Sequence, residues 1–197
     1  MKGLIFVFLI FYACTPDTLT VTLSGRVWFA GDSTKTITGT VVEVVSDGQS
    51  YQTSVKPDGT FSMDVQPGDY IVRPYRRTDT LNGIDTDDRV LIQQHLVGMV
   101  GLNQWQKFAA DVNKSGLMTS LDAYTVQAAI LGNSDGRSIV GGWWTFCPAD
   151  YTAAQTDGFY VPVYPTTKDV QAQNDVGGID FVAFRRGDAN MNAKTGQ

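Results

Sequence analysis

The chain is poor in the side chains that most enzymes use for acid, base and nucleophilic chemistry. Its 197 residues contain one histidine, one glutamate and two cysteines. No Ser/His/Asp or Cys/His set can be assembled around His95, whose place near the end of a predicted helix favours packing or an interaction with the helix dipole. Glu43 lies in the middle of a predicted strand, without a second glutamate for glycoside hydrolysis. The sequence therefore predicts a protein that is not an enzyme.

The chain also lacks an excess of basic residues. It has 15 Lys and Arg against 20 Asp and Glu, which gives a formal net charge of −5. A nucleic-acid partner needs basic patches that neutralise phosphates. The adjacent pairs 76–77 and 185–186 are the only neighbouring arginines, and they are expected to be solvated. Nucleic acid is therefore excluded as a partner.

A long hydrophobic run is missing as well, although the N-terminus holds a short one. Residues 3–13 are apolar, follow Lys2 and precede Cys14, a pattern typical of a bacterial lipoprotein signal. Residues 1–14 therefore predict export, lipidation of Cys14 and membrane contact only through that anchor. Cys147 is then a free buried thiol, or it pairs with an unmodified Cys14. If the leader is retained, it is expected to be a strand donated to a neighbouring subunit.

The first folded region, residues 19–75, predicts an antiparallel β-sandwich. Its β-branched and aromatic residues often alternate with polar ones, and turns are expected at 47–48, 57–59 and 67–68. Six strands are predicted, at 19–23, 27–29, 38–45, 51–55, 60–65 and 70–73.

The most informative pattern is a repeat, in which segments 88–98 and 122–132 share an Asp, a Gln and a closing Gly in register. The loop before the second helix, residues 111–122, has side-chain oxygens at positions 1, 3, 5, 9 and 12 and Gly116 at position 6. Those are the positions from which a twelve-residue EF-hand loop binds calcium. The predicted ligands are Asp111, Asn113, Ser115, the Leu117 carbonyl, Thr119 and Asp122.

The loop before the first helix is shorter and less regular. It either binds calcium in a contracted geometry or survives only as a helix cap. Its candidate ligands are Asp79, Asn82, Thr86 and Asp88.

These motifs resemble those of known families. Two such loops, each followed by a helix that ends in Leu/Val-Gly, resemble a dockerin module over residues 78–133. Segments 24–27, 57–61 and 67–72 resemble the small β-sandwich of the carboxypeptidase-regulatory-like type. Segments 144–151 and 180–190 resemble the region that comes after a dockerin-like pair in large surface proteins of gram-negative bacteria. The resemblance implies a non-catalytic surface or secreted protein that makes protein contacts.

Two weaker signals remain. Residues 188–192 repeat the Asp-x-Asn-x-Asn start of a calcium loop, but Ala193 replaces the glycine and another segment or subunit must supply the rest. Three Asp-Ser/Thr triplets resemble a bacterial O-glycosylation signal, which predicts glycans at Thr18, Ser33 and Thr80.

The expected architecture is mainly β with a small α module. It consists of the sandwich, the paired EF-type loop–helix repeats and a short β segment at 140–197 with strands at 143–146, 159–163 and 180–184. The expected function is that of a calcium-stabilised protein at the cell surface or outside the cell, which contacts other protein chains or further copies of itself. The alternatives are a filament subunit joined by its N-terminal strand and an accessory glycan-binding lipoprotein. The last needs an exposed aromatic platform, for which the candidates are Trp143, Trp144, Tyr151 and Tyr160.

Overall fold

A computed structural model of the chain describes residues 19–153 and 158–196. Within them the chain forms two four-stranded β-sheets and four helices, so it is mainly β with a small α module, as the sequence predicts. The strands are β1 (Val21–Phe29), β2 (Val41–Ser46), β3 (Gln49–Ser54), β4 (Thr60–Val65), β5 (Gly68–Tyr75), β6 (Thr145–Pro148), β7 (Lys168–Ala172) and β8 (Phe181–Phe184). The helices are α1 (Thr86–Leu96), α2 (Gln104–Ala110), α3 (Ser120–Ile130) and α4 (Ser134–Val140).

The two sheets have the strand orders β4-β1-β8-β6 and β3-β2-β5-β7. All pairs of neighbouring strands are antiparallel except β1 and β8, which run parallel with Val27 opposite Phe181. The sandwich is therefore not purely antiparallel, because the C-terminal segment inserts one strand beside β1 and another beside β5. One close approach requires glycine: a Cβ at Gly25 of β1 would lie 2.0 Å from the Ile179 carbonyl oxygen.

Strands β6 and β8 form a wall between two apolar cores. Phe181 and Ala183 of β8 pack into the core between the sheets, together with Phe146 of β6. Phe184 and Cys147, one position further along their strands, pack into a second core among the helices. Since neighbouring side chains of a strand point to opposite faces, every residue of these two short strands is buried.

Several predicted elements differ from the observed ones. The strand β4 is found where it was expected, whereas the two short strands predicted at 19–23 and 27–29 form the single strand β1. The strand predicted at 159–163 is reduced to one bridge between Leu117 and Tyr160. The strand β7 and the helix α4 were not predicted, because β7 is short and polar and α4 contains Gly136 in its middle.

Candidate calcium-binding loops

The loop at residues 111–122, called here the contiguous loop, connects α2 to α3. Asp111 caps the C-terminus of α2, and Thr119 caps the N-terminus of α3 in a capping box with Asp122. The sequence favours this arrangement locally, since Thr and Asp at N-cap and N3 satisfy backbone donors that a helix leaves free. Each end of the loop is therefore fixed to a helix.

Hydrogen bonds fold the contiguous loop around the carboxylate of Asp111. The backbone N–H groups of Ser115 and Gly116 donate to its two carboxylate oxygens at 3.0 and 2.9 Å. Ser115 N–H also donates to the Asn113 side chain at 2.8 Å. Lys114 and Gly116 have φ values of 58° and +81°, which produce the sharp turn that position 6 of such a loop requires.

The carboxylate of Asp122 closes the contiguous loop from the other side. One of its oxygens accepts from Thr119 N–H at 2.9 Å, and the other lies 3.5 Å from Asn113 N. Asp122 is fully buried, and burial followed by the charge of Asp111 raises its pKa. Neither carboxylate forms an ion pair with a basic side chain in the described part of the chain. A bound cation would relieve this repulsion between two buried anions.

The first predicted loop, residues 79–88, does not gather its four candidate ligands. Among the described residues, no hydrogen bond joins the side chains of Asp79, Asn82 or Thr86 to Asp88. Asn82 instead binds the backbone of Lys194 on both sides, donating to its carbonyl oxygen at 2.9 Å and accepting from its N–H at 2.8 Å. Of the four, only Asp88 takes part in a loop like the contiguous one.

The partner of Asp88 is the segment near the C-terminus. Residues 188–193 fold around the carboxylate of Asp188, which accepts from Asn192 N–H at 2.9 Å and from Ala193 N–H at 3.1 Å. Asn192 N–H also donates to the Asn190 side chain at 3.1 Å, and Met191 has a φ of 59°. Each of these features has a counterpart at the same position of the contiguous loop.

The N-terminus of α1 completes this arrangement. One Asp88 oxygen accepts from Asn190 N–H at 3.0 Å, as Asp122 approaches Asn113 in the contiguous loop. The other accepts from Asp85 N–H at 2.8 Å in a capping box, which places Asp85 where the contiguous loop has Thr119. Residues 188–193 and 85–88 therefore form a split loop, whose halves lie about 100 positions apart in the sequence.

The absence of a glycine at position 193 has a structural reason. In the contiguous loop the chain turns at Gly116 and continues to α3, whereas the split loop ends its first half at Ala193. The backbone of residue 83 comes so close there that a Cβ at Gly83 would lie 2.5 Å from the Ala193 Cα. The residue that must be glycine in the split loop is therefore Gly83, which has a φ of +73°.

The carboxylates of the split loop are shielded from solvent. Asp88 and Asp188 are both fully buried. Burial raises the pKa of Asp88 to about 7 and that of Asp188 to about 6, and the charges of Asp188 and Asp85 add to the effect on Asp88. Two backbone hydrogen bonds to each carboxylate oppose these shifts without cancelling them.

The buried guanidinium of Arg185 positions the chain around the split loop. It donates to the carbonyl oxygens of Thr80 at 2.9 Å, Gly141 at 3.0 Å and Asp79 at 3.3 Å, and also to that of Trp143. It thereby joins the segment before α1 to the segment after α4 and to the end of β8. Burial lowers its pKa to about 10, while the charge of Asp188 opposes that shift.

Both loops offer the donors of a hard cation. Within residues 19–153 and 158–196, no three His, Cys, Asp or Glu side chains come together as a metal cluster. A cation in either loop would therefore depend on two carboxylates supplemented by amide, hydroxyl and carbonyl oxygens. This donor set fits calcium and does not fit zinc, which prefers nitrogen and sulfur ligands.

The predicted modification sites differ in their surroundings. Cys14 and Thr18 lie outside the described residues. Ser33 is exposed, Thr80 is half-buried, and Cys147 is a buried free thiol whose pKa is raised by burial to about 12. None of the described helices is long and apolar enough to cross a membrane.

Comparisons with known proteins add little. No family model matches the chain, and no curated protein matches it. Among solved structures, the chain is similar to the crystal structure of a DUF3823 family protein from Parabacteroides merdae, with 25% sequence identity and a TM-score of 0.25. The match covers 29% of this chain and 32% of the DUF3823 family protein, so this chain spans about a third of that protein's length. A likeness of this size carries no argument about fold or function.

Proposed function

We propose that the chain is a non-catalytic, calcium-stabilised structural or assembly protein that acts at the cell surface or outside the cell through contacts with other protein chains. The proposal that calcium stabilises the chain is supported by one hydrogen-bond pattern that occurs in both the contiguous loop and the split loop. In both, buried carboxylates face each other and no basic side chain in the described part of the chain forms an ion pair with them. A divalent cation stabilises such a site only in the folded state.

The donor atoms favour calcium over magnesium. Each loop combines carboxylates with amide oxygens, and the contiguous loop adds the Ser115 hydroxyl and the Leu117 carbonyl, between which a 3.0 Å hydrogen bond is formed. Calcium accepts six to eight oxygens in irregular geometry, whereas magnesium needs a near-ideal octahedron and keeps several waters. This mixture of side-chain and backbone oxygens suits the larger ion.

The pairing of the two loops supports a dockerin-like module. The helices α1 and α3, which follow the loops, pack against each other, and each begins with a capping box that contains the position-12 carboxylate. In this proposal residues 78–133 are the module, and the split loop extends it to the C-terminal segment. The sandwich formed by β1–β5 then serves as its carboxypeptidase-regulatory-like spacer.

An apolar surface beside the contiguous loop supports a protein partner. Leu117, Leu121 and Tyr124 are exposed on the loop and on α3, and Phe159 and Tyr160 are exposed where the chain bridges to Leu117. Aromatic and aliphatic side chains of this kind form the centres of protein interfaces. For a stable assembly we expect an interface of more than ~1,000 Å².

The calcium proposal is tested by metal removal. Chelation should lower the melting temperature, because an ion present at ~100 times its dissociation constant stabilises the folded state by about 2.7 kcal/mol per site. Calcium should restore the melting temperature, and zinc should not. An unchanged melting temperature, together with no calcium in elemental analysis of the native protein, would contradict the proposal.

The assembly proposal is tested on the exposed patch. Full-length protein should capture a partner from its own cell envelope, or self-associate in light scattering, and Tyr124→Ser should weaken that association at least tenfold. Tyr51→Ser is the matched control, since Tyr51 is also exposed but lies on β3 of the sandwich. If both variants weaken the association equally, the exposed patch is not part of the interface.

Two alternatives have an observation in their favour. A filament subunit joined by strand donation needs a free sheet edge, and β3 is an edge strand whose side chains are mostly exposed. The donor, residues 1–14, lies outside the described residues.

A glycan-binding lipoprotein needs an exposed aromatic ring, and Trp143 is 45% exposed, whereas Trp144 is buried. Mass spectrometry of native protein separates these cases by showing whether the chain begins at Met1 or at a lipidated Cys14.

A further inference from the structure

A cleft beside the contiguous loop combines positive charge with an aromatic wall. A cavity of about 310 Å³ is lined by Arg73, Lys114, Trp143, Thr166, Thr167 and Arg186, among others. A second cavity of about 210 Å³ shares Lys114 and Thr166 with it and continues to Gly116. A third, on the other side, shares Arg73 and Trp143 with the first. The three together form an elongated cleft.

Three cations line the first cavity, and two of them form no ion pair with a described residue. The carboxylate of Asp111 lines the second cavity, and that of Glu43 lines the third. Arg73 is paired with Glu43 at 2.6 Å. Lys114 and Arg186 have no carboxylate within ion-pair distance among the described residues. The Lys114 ammonium lies 5.9 Å from the centre of the Tyr164 ring, and Arg186 makes one long hydrogen bond of 3.5 Å to the Val112 carbonyl.

Solvation would be the ordinary explanation for two such cations on a surface. Here, however, the chain is acidic overall, with a net charge of −5, and both cations line the same concave site. Like charges held together in a cavity repel each other, and an anionic group between them removes that repulsion while accepting charged hydrogen bonds. The cleft therefore fits an anion.

The rest of the cleft is suited to a sugar. Trp143 is 45% exposed, and the Arg77 guanidinium lies 5.0 Å from its ring centre and holds the ring in place. The hydroxyl groups of Thr166 and Thr167 form no hydrogen bond with another described residue and can bind sugar hydroxyls. An indole ring packs well against the apolar face of a pyranose. The second and third cavities each share lining residues with the first, and this succession of cavities favours a polymer over a small anion.

We propose that this cleft binds an acidic polysaccharide, with a carboxylate or sulfate group between Lys114 and Arg186 and a sugar ring packed on Trp143. The site goes beyond the calcium-stabilised assembly role, but it shares Lys114 and Gly116 with the contiguous loop and therefore rests on that loop being folded. An acidic peptide would satisfy the same cations, but it has no sugar face to place on the indole ring.

The test measures binding of the calcium-saturated full chain to four polymers at low and moderate ionic strength. Hyaluronan carries carboxylates only, dextran sulfate carries sulfates only, dextran is neutral, and poly-glutamate is an acidic peptide. We expect at least one of the two acidic polysaccharides to bind more tightly than dextran and poly-glutamate, and the tighter of the two identifies the anionic group. Binding of neither, or tighter binding of poly-glutamate, would overturn the proposal.

Variants locate the site. Arg186→Gln and Lys114→Gln should each weaken binding about tenfold, because each removes a charged hydrogen bond, and Trp143→Ala should weaken it several-fold. Lys56→Gln, an exposed cation outside the cleft, should leave binding unchanged. If Lys56→Gln weakens binding as much as Lys114→Gln, the attraction is non-specific and the proposal fails. Lys114 is exposed, so its variant remains informative if Arg186→Gln does not fold.

Discussion

The contiguous loop and the split loop have the same hydrogen-bond geometry but different connectivity. In the first, twelve successive residues join two neighbouring helices. In the second, residues 188–193 supply the first half and the N-terminus of α1 supplies the second. In the proposed function, a cation in the contiguous loop would stabilise a local helix pair, whereas a cation in the split loop would join two distant segments of the folded chain. Because closing a long loop is entropically costly, the second site should matter more for global stability.

The largest effect should come from Arg185, which holds the backbone around the split loop. Arg185→Met removes four hydrogen bonds to carbonyl oxygens, and we expect a loss of about 3 kcal/mol or more in the free energy of unfolding. Urea unfolding of the calcium-free chain measures this loss. Arg186→Met, which removes one long hydrogen bond, should cost less than ~1 kcal/mol. If the two variants lose equal stability, Arg185 does not position the split loop.

Substitution of the first carboxylate in each loop separates the two sites. Asp188→Ala and Asp111→Ala should each abolish calcium binding at one site, but Asp188→Ala should lower the melting temperature more, because the split loop connects distant segments. Calorimetric titration and thermal unfolding measure the two effects.

Two controls belong to this pair. Asp79→Ala and Asp87→Asn change carboxylates that accept no hydrogen bond from a described residue, so calcium affinity should change little in both. If Asp79→Ala lowers calcium affinity as much as Asp111→Ala does, Asp79 is a ligand of the predicted loop 79–88. That result would contradict the split arrangement.

The pH dependence of stability should differ between the loops. Burial raises the pKa of Asp88 to about 7 and that of Asp188 to about 6, against an ordinary value of 3.8. Between about pH 4 and pH 7 the folded calcium-free chain therefore binds more protons than the unfolded chain. Its stability should be greatest at low pH in this window and should fall as the pH rises through 6 to 7.

Calcium should reverse this trend, since it binds the ionised carboxylates. Asp88→Asn should flatten the calcium-free profile between pH 5 and pH 8 in urea unfolding. A profile that rises with pH in the calcium-free wild-type chain would show that these carboxylates remain ionised when buried.

The candidate residues of the contiguous loop can be recognised together in the sequence and those of the split loop cannot, for physical reasons. An EF-type loop of twelve successive residues shows all its ligands in one window, so Asp111 and Asp122 could be paired by spacing alone. The run at 188–192 was recognisable, but its partner Asp88 lies 100 positions earlier, and only folding brings them together. Asp88 was instead assigned to its nearest oxygen-rich neighbours, Asp79 and Asn82.

Similar limits apply to the fold. The strand β4 alternates cleanly between turns at 57–59 and 67–68 and was predicted with its observed bounds. The parallel pairing of β1 with β8 depends on a contact across more than 150 positions and leaves no local signal. Segment 159–163 has strand-like side chains, but Pro162 lacks a backbone donor, and the segment forms only one bridge.

The smallest effects should come from Gly116 and Ala193, whereas a Cβ at Gly83 must displace the backbone of Ala193. Gly116→Ala should cost about 1 kcal/mol, because φ is +81° there, and should lower calcium affinity at the contiguous loop only. Ala193→Gly should change little, since Ala193 needs no left-handed conformation. Gly83→Ala should weaken the split loop through its contact with Ala193. Calorimetric titration of the three variants checks this, and weaker binding at the contiguous loop in Gly83→Ala would show that the halves are wrongly assigned.

The most direct test is the number of calcium ions bound per chain, measured by calorimetric titration of wild type, Asp111→Ala, Asp188→Ala and the double variant. We expect two ions in wild type, one in each single variant and none in the double variant. One ion in both the wild-type chain and Asp188→Ala would show that residues 188–193 and α1 do not form a calcium site.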